Sequence, residues 1–597
     1  MAQLTIQNAF NLALEHHRAG RLREAEKLYR QILAQQPQHV DAMYNLGTLA
    51  HQVGRNDVAV DLMRRTIALR PDHAAAHYEL ANALRDQRRL DEAVAAYRRA
   101  IALRPDFPGA YNNLGCTLNE AGQLDEAAAV LHQTIALSPN SAVAPVNLGN
   151  VLKDQGALDE AIAAYRQAIA FAPDDAEAHS NLVYTMHFHP ALDARAIANE
   201  LCAWNLRHAR PLEQFIVPNS NDRSADRRLR VGYVSPDFRN HAEAFFVMPL
   251  LREHDHSRFE IHCYASVGQP DAVTERFKGY ADVWHDVAGD SDAQLDGRIR
   301  EDRIDLLVDL TMHMANSRLL VFARKPTPVQ VAWLAYPGGT GLPQIDYRLT
   351  DAFMDPPGEG DLLYVEKPMR LPDCWCCYDP LCEPLPIGSP PAGQLGYITF
   401  GCLNNFCKIN GPVLGLWAQV LKAVPDSRLM LLCAEGGHRR RTQDFLGTRG
   451  IAAGRMEFVM PCPRPEYLRL YERIDIALDP FPYNGITTTC DALWMGVPVV
   501  TFAGERAASR AGLGLLSAAG FGELVGQGPE QFVKLAMELA KDLGKLQSLR
   551  STLRQRIEKS PLMDAPRFAR NVEAAYRRMW RNWCAAPCDG HGQQFLI

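Results

Sequence analysis

The sequence predicts an array of paired helices in the first third of the chain and two α/β lobes in the remainder. Two observations support this prediction. Prolines recur every 34 residues between Pro37 and Pro173. From Leu229 onward, short apolar runs alternate with amphipathic stretches, which is the pattern of buried parallel strands joined by helices. A chain of 597 residues is also too long for one hydrophobic core, so several domains are expected.

The repeated unit is a pair of amphipathic helices joined by a turn that usually contains glycine and ended by a proline. A representative unit is "PGAYNNLGCTLNEAGQLDEAAAVLHQTIALSPNS", residues 108–141. Its 34-residue period and helix–turn–helix order resemble tetratricopeptide (TPR) repeats. We therefore predict an all-α TPR superhelix over residues 6–210, with five repeats, a partial sixth and connecting helices.

Such arrays stack each repeat on the next and expose a long concave surface. A leucine recurs every 34 residues in the first helix of each pair, from Leu46 to Leu182. The residue before it is Asn45, Asn113, Asn147 or Asn181, and Glu79 in one repeat. A side-chain amide both donates and accepts hydrogen bonds, so it can pair with the backbone of an extended peptide of any sequence. We predict a peptide-binding groove lined by these asparagines. The alternative is that they only solvate the helices or bond between repeats.

Ten apolar runs predict the strands of two doubly wound parallel sheets. The first lobe, residues 226–378, contains "LRVGYVS", "FEIHCYA", "IDLLVDLT", "VQVAWLAY" and "DYRLTD". The second lobe, residues 395–560, contains "YITFGCL", "SRLMLLC", "RMEFVM", "IDIALD" and "VPVVTF". Residues 379–394 are rich in Pro and Gly and predict a linker. A last helix at 561–583 is expected to pack back on the first lobe.

Polar loops follow three of the predicted strands in each lobe. They are "SPDFRNH", "TMHMANSR" and "YPGGTG" in the first lobe, and "NNFCK", "PCPRPEY" and "DPFPYNGITTT" in the second. Ligands of open α/β sheets bind beyond the carboxyl ends of the strands, so these loops predict a shared cleft for a nucleotide-containing ligand. The three threonines open a predicted helix, where free N–H groups favour an anion. A plain Thr-rich N-cap is the alternative.

Together with the repeats, the motifs "VGYVSPDF", "PVQVAW" and "LWMGVPVVT" resemble those of the protein O-GlcNAc transferases and of their plant O-fucosyltransferase relatives. The resemblance implies a GT-B fold with two Rossmann-like lobes. It implies an inverting, metal-independent glycosyltransferase that moves N-acetylglucosamine from UDP-GlcNAc to Ser or Thr hydroxyls of proteins, with no cofactor beyond the donor. Transfer of fucose from GDP-fucose stays open, because "LPDCW" and "ITFGCLNN" favour the plant enzymes. A non-catalytic scaffold that senses nucleotide sugars, or a glycan or lipid acceptor, also stays open.

The resemblance assigns the phosphate contacts of the donor. Lys408 matches the lysine that neutralises the diphosphate, with Asn405 as a neighbouring polar contact. Thr487 and Thr488 match the donors to the β-phosphate, and Thr489 belongs to the same helix start. Lys408 is therefore expected to stabilise the charge that develops on the departing nucleotide.

The resemblance also assigns the nucleoside contacts. Asp491 matches the acidic residue that holds the ribose hydroxyls, and Cys462 and Arg464 fall where the family contacts the base. Tyr467 and Ile486 stand where the animal enzymes carry histidines that touch the donor. Since Ile486 cannot donate a hydrogen bond, the diphosphate is expected to depend more on backbone N–H groups and threonines.

The remaining expected site residues belong to the first lobe. His241 matches the active-site histidine proposed as catalytic base. Gly339, Thr340 and Gly341 match the turn beside the sugar. His313 has a similar strand-end position and is a candidate to line the cleft, with core packing as the alternative.

Composition narrows the remaining partners. Hydrophobic residues make up 47% and charged residues 22%, and the net charge of −6 gives no attraction to nucleic acid or anionic membrane. No apolar run reaches the roughly 18 residues of a membrane span, and the start lacks the pattern of a signal peptide, so a cytoplasmic protein is expected. The 14 cysteines show no paired C-x-x-C spacing, and no metal site is predicted. Repeat arrays often self-associate, so a homodimer is possible.

Overall fold

The structure, a computed structural model, describes residues 5–587. These residues form two compact units, one of residues 5–155 with 434–437, and one of residues 156–433 with 438–587. In the part of the chain that is described, no helix combines the length and the apolar character needed to cross a membrane.

The first unit contains helices that pack in sequence as antiparallel hairpins. Gly20, Gly54 and Gly122 adopt φ values of +71°, +74° and +74° in the turns between paired helices, a conformation that glycine takes without steric cost. Arg88 stands at the equivalent turn with φ +61°. The helices are α1 Ile6–Arg18, α2 Leu22–Gln35, α3 Val40–Gln52, α4 Asn56–Leu69, α5 Ala74–Asp86, α6 Leu90–Leu103, α7 Pro108–Glu120, α8 Leu124–Leu137 and α9 Val143–Asp154.

Three of the asparagines predicted to line a groove lie in this first unit. Asn45 donates to a backbone carbonyl of its own helix at 2.7 Å. Asn113 donates to the Tyr78 hydroxyl at 2.9 Å, and Asn147 donates to Asn112 Oδ1 at 2.9 Å. The amides of Asn113 and Asn147 therefore bond between successive repeats, as the alternative interpretation expects. Their contact with a peptide stays a prediction.

The second unit begins with the end of the helical array. Its first helices are α10 Leu158–Phe171, α11 Ala176–Met186 and α12 Ala194–Trp204. The buried Trp204 indole donates to the Ala176 carbonyl at 3.1 Å, which fixes α12 on α11. Asn181, the fourth predicted groove residue, is half-buried on α11. A π-helical turn and a 3-10 turn, Asn205–Ala209 and Arg210–Phe215, complete this segment.

The first lobe is a sheet of seven parallel strands. Its strands are β1 Leu229–Ser235, β2 Phe259–Ala265, β3 Val283–Asp286, β4 Leu306–Asp309, β5 Val329–Ala332, β6 Tyr347–Asp351 and β7 Lys367–Leu371. Its helices are α13 Ala244–Glu253, α14 Ala272–Lys278, α15 Asp292–Glu301 and α16 Leu319–Phe322. The strand order is β3-β2-β1-β4-β5-β6-β7, so the order reverses between β1 and β4. Leu306 and Val308 belong to one buried cluster and Leu307 to another, so both faces of the sheet are covered.

The second lobe is a parallel sheet of six strands. Its strands are β8 Thr399–Cys402, β9 Arg428–Leu432, β10 Met456–Val459, β11 Ile476–Leu478, β12 Val499–Phe502 and β13 Val525–Gly526. Its helices are α17 Ala392–Leu395, α18 Gly411–Ala423, α19 Gly437–Gly447, α20 Arg464–Leu470, α21 Thr487–Trp494, α22 Ala511–Ala518, α23 Pro529–Lys541 and α24 Leu543–Glu558. The order β10-β9-β8-β11-β12-β13 reverses between β8 and β11. Helical repeats followed by two parallel α/β lobes confirm the predicted fold class, with lobes consistent with GT-B.

The last helix, α25 Ala565–Ala585, packs against α13 of the first lobe. Glu573 Oε1 lies 3.0 Å from His254 Nδ1, and the Tyr576 hydroxyl lies 3.2 Å from the Tyr233 hydroxyl on β1. The chain therefore returns to the first lobe after completing the second. Residues 379–391, before α17, contain neither helix nor strand.

Candidate active site

A cavity of about 470 Å³ opens at the carboxyl ends of the strands of both sheets. Its wall is formed by the loops after β1, β5, β8 and β11, by α20 and α21, and by the end of α11. The switch points between β1 and β4 and between β8 and β11 supply these loops, which is where open α/β sheets bind ligands. The sequence-predicted site residues that line the cavity are His241, Asn405, Lys408, Arg464, Tyr467, Thr487, Thr488 and Asp491.

The amino end of α21 faces this cavity. Ile486 occupies the N-cap position without a side-chain capping bond, and Ile486, Thr487 and Thr488 line the cavity wall. The backbone N–H groups of a helix start carry partial positive charge and favour an anion. The Thr489 hydroxyl donates to the Gly485 carbonyl at 3.0 Å and is buried, so Thr489 supports the turn and lies outside the cavity wall.

Lys408 lies beside this helix start, on the 3-10 turn Phe406–Lys408 that follows β8. Its Nζ donates to the Asn484 carbonyl at 2.9 Å and to Asn404 Oδ1 at 3.3 Å. It also lies 4.4 Å from the centroid of the Tyr483 ring. Both hydrogen-bond partners are neutral oxygens, so the ammonium charge is available to an anion in the cavity. Burial lowers the pKa of Lys408 below its ordinary value.

Asn404 connects the lysine to the helix start, a role that the sequence did not single out. Its Oδ1 accepts from Lys408 Nζ and, at 2.9 Å, from Thr488 Oγ1. Asn404 is buried, whereas the neighbouring Asn405, which the resemblance selected, is exposed on the cavity wall. The sequence does not distinguish these two adjacent asparagines, and only the fold shows that Asn404 is the one buried between Lys408 and Thr488.

Asp491 is a buried carboxylate on the inner side of α21. Arg464 Nη1 donates to Oδ2 at 3.0 Å and Nη2 donates to Oδ1 at 2.7 Å, and the Tyr378 hydroxyl donates to Oδ1 at 2.5 Å. Burial alone would lower the pKa of Arg464, but the Asp491 carboxylate outweighs it and raises the pKa above its ordinary value. Tyr467 also lines the cavity, and its hydroxyl lies 2.9 Å from the Tyr471 hydroxyl.

His241 lies in the loop between β1 and α13. Its Nδ1 is 3.7 Å from Asp237 Oδ2, and its side chain is 28% exposed toward the cavity. Burial lowers the pKa of the imidazole, and the nearby Asp237 carboxylate only partly compensates. The ring is therefore neutral at pH 7, which is the form that can accept a proton.

Glu243 is a cavity residue that sequence reasoning missed. It is the N-cap residue of α13 and is 5% exposed. Ser235 Oγ donates to its Oε2 at 3.3 Å, while Oε1 is buried without a hydrogen-bond partner. Burial raises the pKa of Glu243 well above its ordinary value. A glutamate at a helix start usually faces solvent, so the sequence carried no signal of this burial.

His313 does not line the cavity, so the prediction that it lines the cleft is wrong. It is fully buried, with Nδ1 3.0 Å from Ser180 Oγ and Nε2 2.8 Å from the Thr340 carbonyl. Its ring also packs edge-on against Trp204, at 4.8 Å between ring centroids. Nδ1 therefore joins the first lobe to α11, and Nε2 bonds within the lobe, which together give the core role that the sequence left as the alternative.

Two other groups of expected residues also lie outside the cavity wall. The turn of Gly339, Thr340 and Gly341 is held from behind by Glu366 Oε1, which accepts from the backbone N–H of Thr340 at 2.5 Å and from its hydroxyl. Cys462 is partly exposed in the loop before α20. Their predicted contacts with the sugar and the base therefore stay predictions.

Two groups of side chains within residues 5–587 bring three possible metal ligands together. One, in the cavity, consists of Asp237, His241 and Glu243. Arg239 already donates to Asp237 at 2.9 Å, so that carboxylate is neutralised by a guanidinium. The clustered cysteines of "CWCCYDPLC" are in neither group. Burial raises the pKa of the Cys376 and Cys377 thiols, which keeps them protonated at pH 7.

Two parts of the chain match known protein families. Residues 175–379 and 394–572 match glycosyl transferase family 41. Residues 10–65, 48–108, 96–129 and 149–187 match tetratricopeptide repeats.

A Petunia hybrida protein named probable UDP-N-acetylglucosamine–peptide N-acetylglucosaminyltransferase SPINDLY is 41% identical over 391 residues, 64% of this chain and 42% of that protein. An Arabidopsis thaliana protein with the same activity in its name, SEC, is 31% identical over 375 residues, 61% of this chain and 38% of that protein. The matched region thus spans less than half the length of these plant relatives.

A solved structure shows the same fold over most of its length. A mutant of the Thermobaculum terrenum O-GlcNAc transferase superposes with a TM-score of 0.79 at 38% identity, covering 86% of this chain and 98% of that chain. The family match itself extends over more than half of the present sequence. The chain therefore belongs to glycosyl transferase family 41.

Proposed function

We propose that this protein transfers N-acetylglucosamine from UDP-GlcNAc to Ser or Thr hydroxyls of protein acceptors, with inversion and without a metal ion or other cofactor. The observation that supports it most directly is that Lys408 lies beside the amino end of α21 on the wall of one cavity, with Lys408 Nζ and the Thr488 hydroxyl both bonded to Asn404 Oδ1. The names of the plant relatives and of the Thermobaculum enzyme support the choice of sugar.

The departing diphosphate would be stabilised by groups from the second lobe alone. Thr487 offers its hydroxyl, Thr487 and Thr488 offer backbone N–H groups, and Lys408 offers a full positive charge with neutral partners. These donors are fixed before the reaction, so they stabilise the developing charge without rearranging. One such donor typically contributes about 3–4 kcal/mol, or roughly 10²–10³ in rate. Lys408 would thereby do the work that a metal ion does in other transferases.

The acceptor would attack from the side of the first lobe. The acceptor oxygen forms a bond to the anomeric carbon while the bond from that carbon to the diphosphate oxygen breaks, which inverts the configuration. The hydroxyl proton goes to His241, whose ring is neutral and faces the cavity, and the electron pair of the broken bond stays on the nucleotide. Asp237, 3.7 Å from His241 Nδ1, would stabilise the imidazolium that forms.

An approach for a protein acceptor is supported by the end of the helical array. Tyr184 of α11 and Phe188 just beyond it line the same cavity as His241 and Lys408. Phe188 packs on Tyr483 with ring centroids 4.8 Å apart. An acceptor segment that reaches the end of α11 would therefore meet apolar rings beside the reacting atoms. The asparagines of the repeats would hold the backbone of that segment.

The test is to incubate the purified chain with UDP-GlcNAc or GDP-fucose separately, each with Ser- and Thr-containing peptides. We expect release of UDP and a peptide whose mass has increased by one N-acetylhexosamine, at the same rate with and without EDTA. Consumption of neither donor, even by hydrolysis, would contradict an enzymatic role and favour a nucleotide-sugar-sensing scaffold. Loss of activity in EDTA would contradict the metal-independent chemistry.

Fucose transfer from GDP-fucose is the second candidate, and one observation favours it. Ile486 lies on the cavity wall at the helix start, and the Tyr467 hydroxyl is engaged by Tyr471. Neither residue can replace the histidine contacts expected in an enzyme that resembles the animal O-GlcNAc transferases. Release of GDP and addition of a deoxyhexose in the same experiment would establish this alternative.

A further inference from the structure

A second group of possible metal ligands lies on the first lobe and does not line the cavity. It consists of His262 on β2, His285 on β3 and Asp302 directly after α15, with one ligand atom of each within 4.8 Å of the other two. We propose that these three side chains bind a divalent cation of the zinc type. The ion would act on the stability of the lobe and would be separate from the proposed metal-independent transfer.

The sheet itself brings the ligands together. β2 and β3 are parallel neighbours, with His262 opposite Val283 and Tyr264 opposite His285. The Tyr264 ring stacks on the His285 ring at 4.7 Å between centroids, and its hydroxyl donates to Asp302 Oδ2 at 2.7 Å. Tyr264 thus holds the histidine and the carboxylate in place from the same side.

His262 has the hydrogen-bonding pattern of a metal ligand. Its Nε2 lies 3.0 Å from Glu260 Oε1, and a carboxylate in that position fixes the proton on Nε2. The other nitrogen, Nδ1, therefore carries a lone pair, yet it is buried and has no hydrogen-bond partner. The side chain is 5% exposed, so water does not readily satisfy it. Metal-bound histidines usually donate their second nitrogen to a carboxylate in this way.

His285 and Asp302 complete the set. His285 Nε2 lies 3.0 Å from Asp302 Oδ2, but it is buried and outside hydrogen-bonding geometry, so the short distance is not explained by a hydrogen bond. Zinc–nitrogen bonds of about 2.0–2.1 Å place ligand atoms of a tetrahedral site about 3.3 Å apart. Small side-chain rotations would bring the present spacings, which run from 3.0 Å to at most 4.8 Å, to that value. His285 and Asp302 are 15% and 24% exposed, which leaves an entry path and room for a water as fourth ligand.

Two histidines and a carboxylate are a donor set that suits zinc, and they are too few oxygens for calcium or magnesium. A bound ion would tie the edge strand β3 to β2 and to the end of α15. An edge strand has only one strand partner, so such a link would stabilise the part of the sheet with the fewest hydrogen bonds.

The test uses the full chain, freed of metal with a chelator and titrated with Zn²⁺ against a competing chromophoric chelator. We expect one equivalent to bind tightly and to raise the Tm. His285→Gln and Asp302→Asn should weaken this binding at least tenfold and abolish the rise in Tm. Glu260→Gln, which removes the carboxylate behind His262 together with its ion pairs to Arg228 and Arg230, should weaken it about 10–100-fold. The matched control is His256→Gln, since His256 is an exposed histidine 2.8 Å from Asp282 on the same lobe.

Cysteine ligation is the main competing source of zinc binding. Co²⁺ substitution separates the two, because thiolate ligands give intense charge-transfer absorption and a histidine–carboxylate site gives only weak d–d bands. The proposal is overturned if the wild-type chain binds no equivalent of Zn²⁺, if the bound Co²⁺ shows thiolate charge transfer, or if His285→Gln binds as tightly as His256→Gln. His285 and Asp302 are partly exposed, so their variants are expected to fold even if a change at the buried His262 does not.

Discussion

Arg464 forms a bidentate ion pair with Asp491 on the wall of the cavity, donating to its two carboxylate oxygens at 3.0 and 2.7 Å. With the bond from Tyr378, three of the roughly four lone-pair positions of this carboxylate are occupied. The expected contact of Asp491 with ribose hydroxyls therefore has one position left, on Oδ2. If Asp491 binds the ribose as the resemblance implies, we therefore expect the hydroxyl to donate to Oδ2.

We expect Arg464→Met to destabilise the fold by about 3 kcal/mol, because it leaves the buried Asp491 carboxylate without its countercharge. Tyr378→Phe is the matched control, since it removes one hydrogen bond to the same carboxylate and should cost only about 1 kcal/mol. Urea unfolding of the three proteins measures both effects. Equal midpoints for Arg464→Met and wild type would mean that Asp491 does not depend on this ion pair.

Lys408→Ala should lower kcat by about 10²–10³ while changing stability little, because the lost interaction is with the leaving diphosphate. Lys422→Ala is the control, as Lys422 is an exposed lysine on α18 of the same lobe. Steady-state rates of UDP release measure the effect. Because burial lowers the Lys408 pKa, the wild-type rate should begin to fall on the alkaline side before pH 10.5. Full turnover by Lys408→Ala would remove this residue from the mechanism.

The sequence predicted the central strands of both sheets and the edge strand β10, and it missed the other three edge strands. "LRVGYVS" and "FEIHCYA" coincide with β1 and β2, since buried central strands form continuous apolar runs. The missed strands are β3, β7 and β13, all at the edge of a sheet. Strands β3 and β7 are partly exposed and have no continuous apolar run, and β13 is buried but has only two residues. The local pattern of apolar residues in the sequence therefore gives little indication of these three strands.

The candidate site shows the same division. Loops at strand ends could be identified because the topology of parallel sheets fixes where they meet. The sequence could not show that Tyr184 and Phe188 line the cavity, since they come from the end of the helical array and reach it only through tertiary packing. His313 illustrates the converse, because a strand-end position suggested the cleft while Ser180, 133 residues earlier, holds it in the core.

His241→Asn should lower kcat by about 10²–10⁴ if the imidazole accepts the acceptor proton. The pH profile gives a sharper criterion. Burial lowers the pKa of His241, so the wild-type rate should be unaffected by this group near pH 7 and should fall at acidic pH, as the pH drops through the lowered pKa. The rate of His241→Asn should not show this fall at acidic pH, whereas the rate of His256→Gln should show it. An unchanged fall at acidic pH in His241→Asn would assign the proton acceptor to another group.

Asp479, which accepts from the Gly485 N–H at 2.7 Å and shapes the turn before α21, should make stability depend on pH. Burial raises its pKa to about 7, so between about pH 4 and 7 the folded carboxyl holds a proton that the unfolded one has lost. Its contribution to the free energy of unfolding therefore falls as pH rises toward and through 7. Asp479→Asn should lack this decline, while the exposed Asp444→Asn should retain it. Urea midpoints at pH 5 and pH 8 measure the difference.

The amides of the helical repeats can be tested for peptide binding apart from their structural bonds. Asn147→Ala should raise KM for a protein acceptor about fivefold, the equivalent of one hydrogen bond of about 1 kcal/mol, and leave KM for the donor unchanged. Asn112→Ala is the matched control, because it removes the same 2.9 Å bond between repeats but keeps the Asn147 amide. If both variants raise the acceptor KM equally, Asn147 acts only by joining the repeats. If Asn147→Ala alone does so, its amide contacts the acceptor.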